Sequence, residues 1–339
     1  MFFTIIPIIT EFLILSFYCV IFSWIIAFFF GSLSGLVFEQ SFFSRISSGR
    51  STILFSLLGI GFTALIVSRG VHRGIEKANM VMMPLLFLLL IIMAIRSVTL
   101  PGASEGISFY LRPDFSKLTA TVWLMALSQL FFFMTLSGGP MVVYGGYQQH
   151  HRDLTLSSIL TAVCDVSIVL IAGFVIFPAV FSFGLEPAAG QDLIFLTLPK
   201  VFFSMPHGNI LSILFFFLLI LASLTTTVAQ LEVCVNALCA HTKLSRKRST
   251  LLAAAAIFVF SAAIALSGDL FAIIEYISTV YLAMFGAILA SIALMWFHGS
   301  EKAREELNSG GKIAFGRWWG VMAKYVYSIV LVVILMTSI

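Results

Sequence analysis

The chain has 339 residues, of which 60% are hydrophobic and 10% charged, with a net charge of +4. Mean hydropathy is +1.09. A soluble domain carries roughly 25% charged residues, so this composition excludes a soluble enzyme and a disordered chain. It also excludes a nucleic-acid binder, which needs clustered cations to track phosphates.

A spanning helix needs about 20 mostly apolar residues. Stretches free of Asp, Glu, Lys and Arg predict nine of them in one transmembrane domain over 1–339. The helices placed on them run roughly 12–38, 51–69, 78–97, 121–148, 158–183, 209–240, 249–268, 271–297 and 318–339, extending in places past a flanking charge such as Asp165, Glu232, Glu275 or Lys324. Backbone polar groups in lipid must pair internally, and windows this long and uniformly apolar read as helices rather than barrel strands, so the class is all-α. If nine helices alternate, 13 of the 19 Lys and Arg residues fall on one side, in segments 69–78, 149–157, 241–249 and 298–324. That side is expected to be cytoplasmic, with the N-terminus inside and the C-terminus outside. The opening run MFFTIIPIITEF has no basic n-region and no small-residue cleavage site, so it does not read as a secretory signal.

Within the helices, the charge-free stretch from Leu118 to His151 is too long for one straight crossing. Ser137-Gly138-Gly139-Pro140 sits in its middle. Proline removes a backbone donor and the glycines loosen the same turn. This predicts a broken helix whose freed backbone groups line a site near the midplane, with Gln129 and Thr135 flanking it; the plainer alternative is a kinked helix. Asp165, in the next helix, is either wetted at the cytoplasmic end or a cation ligand. Ala222-Ser223-Leu224-Thr225-Thr226-Thr227 places three consecutive hydroxyls after an apolar run. Such threonines either bond their own i−4 carbonyls or offer the hard oxygens an alkali cation needs. Glu232 and Glu275 stand within or at the edge of apolar windows, where each could join an ion pair. Cys19, Cys164, Cys234 and Cys239 all fall in predicted helices, at spacings that suggest neither a disulfide framework nor a zinc site.

With these residues placed, the chain resembles the sodium:neurotransmitter symporter family in its bacterial amino-acid-transporter branch. The resemblance runs in order through RGIEKANMVMMPLLFLLLIIMAIRSVTLPGASEGISFYLRPDFSKL, SQLFFFMTLSGGPMVVYGGY, GFVIFPAVFSFG, LIFLTLPKVFFSMPHG, LASLTTTVAQLE and KLSRK. It implies a polytopic bundle resembling the 5+5 inverted-repeat transporter fold. Under it the first helix here looks like the family's third and the last like its eleventh, so the chain is expected to lack the family's first two helices and its twelfth. It further implies that Tyr18 helps hold a substrate carboxylate and that Phe132 is an aromatic lid. Thr135, Gly138, Thr226 and Gln230 would line the pocket. The backbone of Phe133 and the Asp165 side chain would serve a first sodium ion. The Ala222 carbonyl with Thr225 and Thr226 would serve a second, and Glu275 would be the acidic partner of an outer gate.

There are departures. Phe133 stands where the family has Ser or Thr, and Ser137 and Gly138 replace the more usual Gly and bulky residue. The family's Asn-x-Trp-Arg-Phe-Pro stretch, which serves both ions, does not occur in this sequence. Gln129 fits the chloride region, but Phe133 supplies no companion hydroxyl, so chloride dependence is not supported. The leading reading is a sodium-coupled symporter of an amino acid or similar small solute in the bacterial inner (cytoplasmic) membrane. The alternative is a transport-incompetent fragment of one. An intramembrane enzyme lacks a paired nucleophile and base or a metal set, and a channel would need a filter or charge ring that one chain does not display. The expected partners are the lipid bilayer, sodium and the solute, with no nucleic acid; oligomeric state is not legible.

Overall fold

A computed structural model describes residues 2–39, 41–47, 49–135, 139–148, 153–186, 190–311 and 314–337, with backbone alone at 2–4, 131, 132 and 337. The described residues form α-helices and no strand. In chain order these are α1 (Phe2–Ser34), α2 (Phe42–Ser47), α3 (Arg50–Ser68), α4 (Lys77–Val98) and α5 (Ala103–Leu111). Then come α6 (Ala120–Phe133), α7 (Gly139–Gly146), α8 (Leu154–Ser182), α9 (Leu198–Ser204), α10 (Gly208–His241) and α11 (Arg246–Ala265). The last five are α12 (Gly268–Tyr276), α13 (Ala283–Ile292), α14 (Ser300–Ser309), α15 (Arg317–Val321) and α16 (Tyr327–Thr337). Widened π-type turns at Ile277–Leu282 and Ala293–Gly299 join α12, α13 and α14, and another at Met322–Val326 joins α15 to α16.

Eight continuous helical stretches among the described residues are long and apolar enough to cross a membrane. The window 121–148 is occupied instead by the two shorter helices α6 and α7. At the N-terminus the helix runs straight through Glu11, although the charge-free window began after it. Glu11 is only 1% exposed, so it is shielded by protein and does not mark the water boundary. At the other end α1 stops at Ser34, followed by Gly35 at φ 74°, the left-handed conformation that commonly ends a helix.

The centre of the bundle is α1, which packs along α10 and against α3 and α11, while α8 lies at the edge on α4 and α5. Apolar attraction does not distinguish a helix neighbour from lipid, so close packing and polar contacts select partners. Ser32 and Ser212 share a hydrogen bond at 2.7 Å between α1 and α10. Thr63 and Thr227 do so at 2.9 Å between α3 and α10. At one end Trp24, Phe28, Phe43 and Phe195 pack ring on ring, with Phe43 and Phe195 stacked at 5.4 Å.

Loop contacts agree with the alternation expected from sequence. The Nε of Arg246, opening α11, donates to the carbonyl of Val67 near the end of α3 at 3.0 Å, so those two ends share a face. On the opposite face Gly49 approaches Leu266, and Gly102 approaches Ser182.

Candidate functional site

The polar face of α10 meets α1 at the bundle centre. The Tyr18 hydroxyl donates to Ser223 Oγ at 3.4 Å. Ser223, Thr226 and Gln230 recur at the three- and four-residue spacing that puts side chains on one helix face. Gln230 is 9% exposed, and its Oε1 has no hydrogen-bond partner among the described residues. Thr225 Oγ1 donates to the Ala222 carbonyl at 2.8 Å and Thr226 Oγ1 to the same carbonyl at 3.1 Å. Both hydroxyl protons are thereby committed within α10, leaving two oxygen lone-pair faces and a carbonyl clustered within one turn.

The helix α7 packs on α10, and ahead of it the chain leaves the helix. The helix α6 ends at Phe133, and Thr135 adopts φ 54°, a left-handed conformation uncommon for a side chain with a branched Cβ. Such strain is typical of functional positions, where the surroundings over-determine it. The next helix, α7, is described from Gly139 onward and holds Pro140. Thr135 is half-buried and the Phe133 side chain is 41% exposed. Gly138 and the side chain of Phe132 lie outside the described residues.

Two expected residues stand apart from this cluster. Asp165 lies half-buried on α8 and makes no hydrogen bond or ion pair with a described residue; α8 packs chiefly on α4 and α5. Glu275 lies half-buried on α12 in a shallow outer concavity with Tyr276 and Thr279. Among the described residues the contacts join Tyr18 to Ser223 and gather Thr225 and Thr226 on the Ala222 carbonyl, Gln230 shares their helix, and neither carboxylate is joined to them.

Toward the expected cytoplasmic end the structure builds a network that sequence reading only touched through Glu232. Glu232 is fully buried on α10, and both ends of the Arg246 guanidinium grip it, Nη1 donating to Oε1 at 3.0 Å. The Tyr147 hydroxyl, just past α7, donates to the same Oε1 at 2.7 Å and accepts from Asn236 Nδ2 at 2.7 Å. A charge buried in lipid-like surroundings is costly unless paired and hydrogen-bonded, and here the contacts tie α11 to α10 and to α3, and the residue just past α7 to α10. Above it a cavity of ≈ 830 Å³ opens between α1, α7, α10, α13 and α16, lined by Pro7, Val142, Asn236, Ser291 and Tyr327 among others. Tyr147, Asn236 and Arg246 carried no motif of their own. The available signal was Glu232, an acidic residue shortly after the hydroxyl run that ends at Thr227, with the basic cluster Arg246-Lys247-Arg248 further along the chain.

A helical bundle with a discontinuity after α6, a hydroxyl-bearing face on α10 and a closed ionic contact at one end has the construction of a secondary transporter. The chain belongs to the sodium:neurotransmitter symporter family, whose model matches residues 44–339. It is 32% identical to an uncharacterized sodium-dependent transporter of Haemophilus influenzae, over 96% of this chain and 76% of that protein. It is 33% identical to the uncharacterized sodium-dependent transporter YhdH of Bacillus subtilis, over 97% of this chain and 77% of that one. Among solved structures, MhsT in complex with L-phenylalanine superposes with a TM-score of 0.88 at 30% identity, covering 99% of this chain and 81% of MhsT. The architecture is thus that of this transporter family, and its members' dependence on sodium identifies the class of transport.

Proposed function

We propose that this protein carries an amino acid or a similar small solute inward across the bacterial cytoplasmic membrane, driven by sodium. Sodium entry supplies about 2.3 kcal/mol per charge for each 100 mV of membrane potential. Thr225 and Thr226 with the Ala222 carbonyl would receive one ion, and Asp165 with the Phe133 backbone another. Tyr18 would hold the solute carboxylate, with Thr135, Gly138, Gln230 and the ring of Phe132 around the rest and Glu275 at the outer gate. The ≈ 830 Å³ cavity would be the inner passage.

The observation that supports this best is the meeting of Tyr18 with Ser223 across the α1–α10 interface, beside the Ala222 carbonyl that collects the Thr225 and Thr226 hydroxyls. The bound L-phenylalanine of MhsT supports the solute class. The test is uptake of radiolabelled amino acids, L-phenylalanine included, into proteoliposomes under an inward sodium gradient. Saturable uptake that collapses when potassium or choline replaces sodium is expected. Uptake equal to that of empty vesicles overturns the reading.

A further inference from the structure

Three spanning helices begin or end around Arg246: α3 ends at Ser68, α4 opens at Lys77 and α11 opens at Arg246 itself. Two loops far apart in sequence meet there. Arg246 Nε donates to the Val67 carbonyl, and a Cβ built on Gly70 would lie 3.9 Å from the same nitrogen. The π-type turn Val71–Glu76 then folds back over the end of α3. It does so closely enough that a Cβ on Gly74 would collide with the Ile66 carbonyl oxygen and lie 3.0 Å from Arg69 Cβ.

This meeting brings six exposed cations to one end of the bundle. The first loop supplies Arg69, Arg73 and Lys77, the second Lys243, Lys247 and Arg248. None of the six forms an ion pair among the described residues. The one acid in segments 69–78 and 241–249 is Glu76, and its carboxylate is already bonded to His72 Nδ1 at 2.9 Å. Like charges gathered without counter-charge repel one another and favour an anionic partner.

Membrane orientation alone asks for cations in such loops, but not for what lies beneath them. One turn deeper, on the face of each cation, an apolar side chain stands exposed. Leu65 precedes Arg69 by four positions, Val81 follows Lys77 by four, and Leu251 and Leu252 follow Lys247 and Arg248 by four. A small anion in water has no use for that second layer. A phospholipid matches both layers, with its phosphate among the cations and its acyl chains along the apolar residues.

We infer that this end of the bundle binds anionic phospholipid, its phosphodiester headgroup held by loops 69–77 and 243–248 and its acyl chains lying on Leu65, Val81 and Leu251. Nothing in this depends on which solute the protein carries or on whether it transports.

The test uses the full purified chain in a neutral detergent, with bound lipid counted by native mass spectrometry. Phosphatidylglycerol should bind about tenfold more tightly than phosphatidylcholine with the same acyl chains, because the two differ in charge and not in tail. About 0.5 M sodium chloride should erase most of that preference. The variant Arg73→Gln/Lys247→Gln/Arg248→Gln should bind phosphatidylglycerol about tenfold more weakly than the parent. The control Arg50→Gln/Arg112→Gln/Lys200→Gln, which removes three exposed cations at the opposite end, should bind it as the parent does. If the first variant does not accumulate, the headgroup and salt comparisons on the parent still decide. Equal binding of the two lipids by the parent, or equal losses in the two triple variants, overturns the inference. Displacement of phosphatidylglycerol by millimolar inorganic phosphate would assign the surface to a free anion, and overturns it as well.

Discussion

Arg246, the first residue of α11, closes both arms of its guanidinium on the fully buried carboxylate of Glu232 on α10. Its Nε donates at the same time to the Val67 carbonyl of α3. One side chain thus binds three helices at one end of the bundle. Removing a single member of a buried pair leaves an uncompensated charge, at a cost of about 3 kcal/mol. Arg246→Ala should therefore shorten the heat-inactivation half-life in detergent sharply. The double change Glu232→Leu with Arg246→Met, which removes both charges, should recover much of it. A double variant no better than the single one would contradict this account.

Tyr18→Phe removes one hydroxyl from the α1–α10 interface and nothing else. The bond to Ser223 is long at 3.4 Å, so the folded state should lose no more than about 1 kcal/mol. If the hydroxyl serves the solute carboxylate, the KM for uptake should rise about tenfold or more, as charge-assisted hydrogen bonds are the stronger ones. A KM unchanged within error, measured in proteoliposomes, would remove Tyr18 from the site.

Thr226→Ala and Thr225→Ala each delete one of the two hydroxyls gathered on Ala222. Neither hydroxyl supports packing beyond its own helix turn, so melting behaviour should hardly change. The sodium concentration for half-maximal uptake should rise several-fold in each, while replacement by Ser should restore it, because Ser retains the oxygen. Sodium titration of the uptake rate reads this directly.

Gln230→Leu separates stability from function. The buried Oε1 has no partner among the described residues, and an unmet buried polar group costs about 1–3 kcal/mol. Leu should leave the protein as heat-resistant as before or more so. Uptake should weaken for solutes with a hydrogen-bond donor on the side chain more than for purely apolar ones. Equal losses for both classes would show that Gln230 does not read the solute.

Some of the site was legible because its chemistry is local. Pro140 and the two glycines act on their own turn, so a break between α6 and α7 could be expected at that point. The threonine run likewise bonds back three and four residues within α10, and both outcomes weighed for it concern one helix turn. Glu11 was misjudged for an equally clear reason. Charge-free windows treat every carboxylate as the mark of a water boundary, whereas this one is enclosed by protein. Asp165 and Glu275 carry roles implied by family resemblance, and no contact among the described residues joins either to the α10 cluster.

The chain alone determined its solvent, its helical class and the position of the discontinuity. Those are consequences of composition and of backbone chemistry within a few residues. Only the folded arrangement decided that Tyr18 meets Ser223, 205 positions away, that Tyr147 reaches Glu232 across 85, and that Glu11 presses on Gly139. The long spanning helices are each apolar enough to face either lipid or protein, so hydropathy cannot rank their neighbours. The choice falls to side-chain fit and to the few polar groups that must find one another.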